Sequence, residues 1–70
     1  MEIDISIRDD YIKLGQALKL AGVTRDGEVS KYVITEGLVK VNGEVDLRRG
    51  RKVYRNDVIS YNGNDIRVTG

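Results

Sequence analysis

The sequence predicts an α+β domain in which two packed helices lie against a small, mostly antiparallel sheet of three to five short strands. Three observations carry this prediction. Isoleucine occupies every second position in residues 2–7, two stretches of helical periodicity follow, and the period returns to two around a pair of Asn-Gly turns. The 70 residues are expected to form one domain, because so short a chain cannot bury two cores.

The first helix is predicted to begin near Asp10 or Tyr11, because the carboxylate of Asp9 or Asp10 can cap it. Its predicted apolar face consists of Tyr11, Leu14, Ala17, Leu18 and Ala21. Gly15 inside this helix implies either that another backbone approaches closely or that the helix is weak there. Gly22 is expected to end the helix in a left-handed conformation.

The second helix is predicted to begin after an Asp26 N-cap and to end at Gly37. Lys31 should project from its outer side, opposite a short stripe formed by Val29, Tyr32, Val33 and Glu36. Beyond this helix, Asn-Gly pairs at residues 42–43 and 62–63 predict two hairpins, and Asn56-Asp57 predicts a tight turn. The N-terminal strand can then complete the sheet.

Composition excludes several classes of function. The chain has no cysteine and no histidine, so thiolate metal sites, disulfides and imidazole catalysis are absent. Loop carboxylates at Glu44, Asp46 and Asp57 are interpreted as partners that neutralise nearby cations rather than as a metal or acid–base set. We therefore expect no enzyme, no cofactor, no metal and no small-molecule substrate. Without a signal peptide or a membrane span, the expected location is the cytoplasm.

Positive charge is concentrated in one segment. The formal net charge is only +1, yet residues 48–55 hold five cations and no acid, and four of the five are arginine. A guanidinium is suited to bidentate phosphate contacts and to stacking on bases, and Gly50 would let the backbone approach a phosphate. The alternative is a solvated loop that nearby acids neutralise.

Three segments in order resemble a known family. They are Ile12-Lys13-Leu14-Gly15-Gln16-Ala17-Leu18-Lys19, then EG-x-V-x-VNG-E over residues 36–44, then RRGRK over residues 48–52. Together they resemble the S4-like RNA-binding domain, or αL motif, and within it the small free-standing bacterial proteins of the YaaA/YbcJ type. The resemblance covers residues 11–61. Related domains occur in a small-subunit ribosomal protein, pseudouridine synthases, tyrosyl-tRNA synthetases and a heat-shock protein that binds ribosomal RNA.

The resemblance implies that the helix pair and the following loop form one basic surface for structured RNA, of the ribosomal or transfer type, with the ribosome as a possible larger partner. The RNA-binding residues it implies are Lys13, Lys31, Arg48, Arg49, Arg51 and Lys52, with Lys19, Lys40, Arg55 and Tyr54 as weaker candidates. The sequence departs from the family at Asp26-Gly27, where many members carry Ser-Arg, and at Asn56-Asp57, where Gly-Asp is usual.

A protein-interaction domain is the alternative function. One version is docking on an acidic partner surface through the same cations. Another is a small β-grasp carrier, because EIDISI and VNGEVDL faintly resemble sulfur-carrier proteins. Such carriers end in Gly-Gly, whereas this chain ends in Thr69-Gly70, and a helix pair between the first two strands departs from their order.

Overall fold

The computed structural model describes residues 1–70, which form seven strands and two helices. The helices are α1 (Leu14–Leu20) and α2 (Gly27–Thr35). The strands are β1 (Glu2–Ser6), β2 (Tyr11–Lys13), β3 (Val39–Val41), β4 (Glu44–Val45), β5 (Lys52–Tyr54), β6 (Val58–Tyr61) and β7 (Asn64–Thr69). Five strands form a main sheet in the order β1-β7-β6-β3-β4, and β2 pairs with β5 in a separate two-stranded sheet.

The main sheet confirms the predicted α+β class and its mostly antiparallel character. Only β1 and β7 run parallel, with Ile3 opposite Ile66, and the other three pairs are antiparallel. Both predicted hairpins are present, because Asn42 and Asn62 begin turns with φ of 52° and 50° and connect β3 to β4 and β6 to β7. β3 and β7 alternate between buried and more exposed residues, whereas both residues of β4 are exposed.

The core lies between the helices and one face of the main sheet, and it also takes in the two-stranded sheet. Its largest fully buried apolar side chains are Leu14, Leu18, Ile34, Val39, Val41, Val53, Ile59, Ile66 and Val68. Neither helix is long and apolar enough to cross a membrane. The opposite face of the main sheet stays open to solvent and carries a mixture of acidic and basic side chains.

Three of the predicted helix ends are confirmed. Asp26 caps α2, because its Oδ1 accepts a hydrogen bond from the Val29 N–H at 3.0 Å. Gly22 and Gly37 follow α1 and α2 with φ of 76° and 78°. At each, the next residue donates its N–H back to the helix, to Leu18 and Val33 respectively, which satisfies carbonyls that the helix end would otherwise leave unpaired.

The predicted start of the first helix is wrong. Residues 11–13 form β2, and α1 begins at Leu14 after a Lys13 N-cap that makes no side-chain hydrogen bond. Neither Asp9 nor Asp10 caps the helix. The reason is tertiary, since Tyr11, Ile12 and Lys13 pair with Tyr54, Val53 and Lys52 of β5. A three-residue strand has no periodicity by which the sequence could distinguish it from a first helical turn.

The predicted buried face of the second helix is also partly wrong. The buried residues of α2 are Ser30, Val33 and Ile34, whereas the Tyr32 side chain is 61% exposed. A buried hydroxyl normally needs a hydrogen-bond partner. Thr24 provides it, because its Oγ1 lies 2.6 Å from the Ser30 Oγ. That bond lets a serine occupy a core position, and the helix turns Ile34 inward and Tyr32 outward.

Candidate nucleic-acid interface

The basic loop, residues 48–52, is attached by its backbone to the start of α1. The Leu14 N–H donates to the Arg51 carbonyl at 2.8 Å, and the Gly15 N–H donates to the Arg49 carbonyl at 3.1 Å. The first N–H groups of a helix have no partner inside the helix. Loop carbonyls therefore replace the side-chain cap that α1 lacks, and they fix the loop beside Lys13.

Gly15 allows this close approach. A Cβ atom at that position would lie 2.9 Å from the Arg49 Cγ, tighter than carbon atoms normally pack. The sequence left open a close approach by another backbone or a weak helix at this glycine. A neighbouring segment does approach closely, but the atom that a Cβ would crowd belongs to the Arg49 side chain, and the Arg49 carbonyl oxygen would lie 3.6 Å away.

Asp46 organises the interior of the basic loop. Its side chain is 7% exposed, and its Oδ1 accepts from the Arg48 N–H and Nε at 2.9 and 3.1 Å. Its Oδ2 accepts from the Arg48 Nη2 and from the Arg51 Nη1, both at 2.9 Å. Hydrogen bonds from the Arg48 side chain, with further bonds from its backbone and from Arg51, outweigh burial and hold the pKa of Asp46 well below its usual value.

These contacts divide the predicted loop cations into two kinds. The Arg51 side chain is only 29% exposed and is committed to Asp46, whereas that of Arg48 keeps 73% of its surface exposed despite the same partner. Arg49 and Lys52 are exposed and form no ion pair. Arg51 is thus placed to hold the loop in shape, and the other cations are available to a ligand.

A shallow groove of about 750 Å³ separates the basic loop from the start of α2. Its lining comprises Lys13, Gly15, Gln16, Lys19, Asp26, Gly27, Glu28, Ser30, Arg49 and Gly50. The cations belong to the α1 and loop side, and the two acids belong to α2. The Val29 N–H lowers the pKa of Asp26, and the Asp26 carboxylate pairs with the Arg25 Nε at 3.6 Å. The α1 and loop side of the groove is therefore its more positive side.

The two-stranded sheet extends the positive side of the groove. Lys13 lies directly opposite Lys52, and Tyr11 directly opposite Tyr54, so all four side chains share the outer face of this sheet. Like charges placed opposite one another repel. The Lys52 Nζ relieves this by lying 4.8 Å from the centre of the Tyr11 ring.

Three other predicted residues lie away from this arrangement. Lys31 is exposed on α2 but does not line the groove. Lys40 faces solvent from β3, opposite Ser60, on the side of the main sheet that the helices do not cover. Arg55 donates from its Nη2 to the carbonyls of Ile7 and Arg8 at 3.1 and 3.3 Å, which ties the end of β1 to the chain after β5.

The three loop acids have different roles. Asp46 neutralises Arg48 and Arg51 as predicted. For Asp57 the prediction is wrong, because its carboxylate accepts from the Tyr54 N–H and the Asn42 side chain and contacts no cation. The prediction is wrong for Glu44 as well, because it is exposed and forms no ion pair. No group of three acidic side chains is arranged to hold a metal ion.

Sequence reasoning missed two features of the site. Tyr11 was assigned to the apolar face of a helix, whereas it stands beside Tyr54 with ring centres 6.1 Å apart. Asp46 was regarded as one neutralising acid among several, whereas it holds the loop together. An aspartate whose side chain accepts from the N–H two residues later is a recognised turn signal, so the role of Asp46 could have been predicted from the sequence. The position of Tyr11 beside Tyr54 could not.

Comparison with known proteins gives consistent results. A family model for the S4 domain matches residues 5–69. The probable ribosome maturation protein RlbA of Bacillus subtilis (strain 168) is 49% identical over 59 residues, 84% of this chain and 83% of the relative. YbcJ of Escherichia coli (strain K12) is 34% identical over 58 residues, 83% of each chain. The solution structure of E. coli YbcJ, described as revealing an αL motif involved in RNA binding, superposes with a TM-score of 0.71 at 29% identity, covering 99% of this chain and 86% of that one.

Proposed function

The chain belongs to the S4 domain family, and from that membership we propose that it binds structured RNA through a composite basic surface. One observation carries the proposal. Lys13, Lys19 and Arg49 come from a strand end, a helix and a loop, yet they line one side of the same groove without an ion-pair partner. Unpaired cations from separate elements on one rim suit a polyanion that spans them.

The proposed surface runs over α1, the basic loop and the two-stranded sheet. Lys13, Lys19, Arg49 and Lys52 contact phosphates, the exposed edge of Arg48 adds a further contact, and Arg51 positions the loop through Asp46. On the α2 side of the groove, Glu28 is an unpaired acid that repels phosphate, and Asp26 already pairs with Arg25. Lys31 therefore contributes less than its family position implies, and Lys40 and Arg55 contribute nothing directly.

The proposed target is ribosomal RNA or an RNA of similar A-form structure, met in the cytoplasm. The similarity to RlbA, with ribosome maturation in its name, supports this class. A cationic surface reads A-form RNA through phosphates and 2′-hydroxyl groups, which ribosomal and transfer RNA share. Crosslinking the protein to RNA in cells and sequencing the recovered fragments would identify the target.

The test is a salt titration of binding to a labelled RNA hairpin, followed by fluorescence anisotropy. If about four to six phosphates are neutralised, log K should fall against log salt with a slope of roughly −3 to −5. The double variant Lys13→Gln/Arg49→Gln should bind more weakly, with a slope shallower by about 2. The matched control, Lys40→Gln/Arg67→Gln, removes the same charge from the solvent-facing side of the main sheet and should keep the original slope.

Two results would contradict the proposal. A salt-independent affinity would show that phosphate contacts do not carry binding. An equal loss of RNA affinity in the two double variants would show that binding depends on net charge alone and not on the proposed basic surface.

A second candidate function is docking on an acidic protein partner. Acidic groups of such a partner would meet the same exposed cations, and Leu38, Val45 and Leu47, each more than half exposed, offer an additional apolar contact. Val45 belongs to the edge strand β4 and Leu47 follows it, and both lie beside Gly37. Competition between the hairpin and a candidate partner for the wild-type protein shows whether the two ligands use the same cations. A protein that binds the acidic partner but gives no salt-dependent binding to the hairpin would favour this second function.

A further inference from the structure

The outer face of the two-stranded sheet combines aromatic rings with free cations. Tyr54 is 48% exposed, and it borders a shallow cleft of about 580 Å³ that is otherwise lined by Arg48, Gly50, Arg51 and Lys52. One aromatic ring and three cations line this cleft and no acid does, although Arg48 and Arg51 also pair with the buried Asp46. It differs from the groove on the other side of the basic loop, which contains no aromatic residue.

From this arrangement we infer that Tyr54 stacks one unpaired base of the bound RNA while Arg48 and Lys52 contact the phosphates on either side of it. A nucleotide presents an apolar flat face next to an anion, and the cleft presents the complement of both. The inference rests on the proposed RNA-binding function and assigns a specific contact within it.

Tyr54 is held in place before any ligand arrives. Its backbone N–H donates to the Asp57 Oδ2 at 2.8 Å, which fixes the backbone at this residue. The Tyr11 ring packs against the Tyr54 ring at an interplanar angle of 59°. A ring that is already ordered loses little conformational entropy when it binds. Tyr11 therefore acts as a support for the Tyr54 ring.

Tyr11 itself is less suited to receive a base. The Lys52 Nζ already lies over its ring. The cleft that Tyr11 lines holds Asp9 and Asp10 together with Arg8 and Lys13, so its charges balance, whereas no acid lines the cleft beside Tyr54. The asymmetry between the two rings assigns the stacking position to Tyr54.

The inference narrows the class of RNA. A continuous duplex keeps its bases stacked inside, so it offers phosphates to the groove but nothing to Tyr54. A duplex interrupted by a bulge or junction offers both. We expect the protein to prefer an RNA helix with an unpaired nucleotide over an uninterrupted one.

The experiment uses the full chain and three labelled RNA hairpins with the same stem: one uninterrupted, one with a single bulged adenine, and one with an abasic nucleotide at the bulge. The wild type should bind the adenine bulge more tightly than the abasic bulge by a factor between about 5 and 150. Tyr54→Leu should abolish that preference and leave binding to the uninterrupted stem unchanged. Tyr54→Phe keeps the ring and should retain the preference.

Equal binding of the adenine and abasic bulges by the wild type would overturn the inference, as would a loss in Tyr54→Leu that is the same for all three hairpins. An unchanged preference of Tyr54→Leu for the adenine bulge would overturn it too, and would favour a role of the Tyr54 ring in contact with a protein partner. Failure of the proposed function looks different, because then no hairpin binds in a salt-dependent way. Thermal unfolding of both variants verifies that the fold is intact.

Discussion

Asp46→Asn separates the shape of the basic loop from its charge. The substitution keeps the size of the side chain, and its remaining oxygen can still accept from the Arg48 N–H and Nε. The new amide NH₂ replaces the Oδ2 that accepts from Arg48 and Arg51. Donors then face donors in a buried position, so the loop loses the contacts that join its two ends.

The cost can be worked from the exposure of each partner. The Arg48 side chain is 73% exposed, so solvent screens its ion pair and we assign it no contribution. Arg51 is 29% exposed, and a hydrogen bond to a charged group in such a position is worth about 2 kcal/mol. For a domain of this size, that loss lowers the melting temperature by about 8–16 °C.

The assay is thermal and urea unfolding followed by circular dichroism at neutral pH. Glu44→Gln is the matched control. It also removes one negative charge, at a position two residues before Asp46, but from a side chain that is exposed and has no partner. The control should unfold within a few degrees of the wild type. If Asp46→Asn is as stable as Glu44→Gln, the carboxylate does not hold the loop and the reasoning fails.

RNA affinity gives a second measure of the same substitution, taken at a temperature where both variants are folded. On charge alone, Asp46→Asn should bind more tightly, because the protein gains one unit of positive charge. We expect weaker binding by about 2- to 10-fold, the cost of ordering a released loop side chain on binding, whereas Glu44→Gln should bind at least as tightly as the wild type. Tighter binding by both variants would refute the role of loop shape.

Three further predictions concern other contacts. The pKa of Asp46 is lower in the folded protein than in the unfolded chain, so at acid pH the unfolded chain binds a proton at Asp46 more readily than the folded protein does. The free energy of unfolding should therefore fall as the pH drops below about 4. An acid titration should show a smaller fall in Asp46→Asn than in the wild type. Gly15→Ala should gain up to about 1 kcal/mol of helix propensity, measured by urea unfolding. The added methyl group should also displace Arg49 and weaken RNA binding, measured by fluorescence anisotropy. Unchanged RNA affinity would argue against the close contact between Gly15 and Arg49. Ser30→Ala leaves the buried Thr24 hydroxyl without its partner and should cost about 1–3 kcal/mol in urea unfolding, and a neutral result would contradict that account.

Much of the fold was predictable because its signals are local. Asn42 and Asn62 each precede a glycine in a two-residue turn whose backbone few other residues adopt, and the structure has both turns. Asp26 caps a helix through an N–H only three residues away. The predicted strand, helix and hairpin order followed from such signals, whereas the family was predicted from the resemblance of three ordered segments to known proteins.

The candidate site was only partly predictable, because a list of cations does not say which of them are engaged. Arg49 and Arg51 are near neighbours in the sequence, yet one is exposed and unpaired and the other is bound to Asp46. Arg55 looked like the end of the same cluster but donates to carbonyls of residues 7 and 8. Assigning these roles requires knowing which atoms meet in three dimensions.

By itself, then, the sequence determined where the chain turns, where its helices end and which segment carries the charge. The tertiary structure decided that residues 11–13 form a strand, that loop carbonyls cap α1, and that Tyr11 stands beside Tyr54. The physical reason is distance along the chain. Turns and caps form between residues a few positions apart, whereas the pairing of β2 with β5 joins residues about forty positions apart and leaves no periodic signal in either segment.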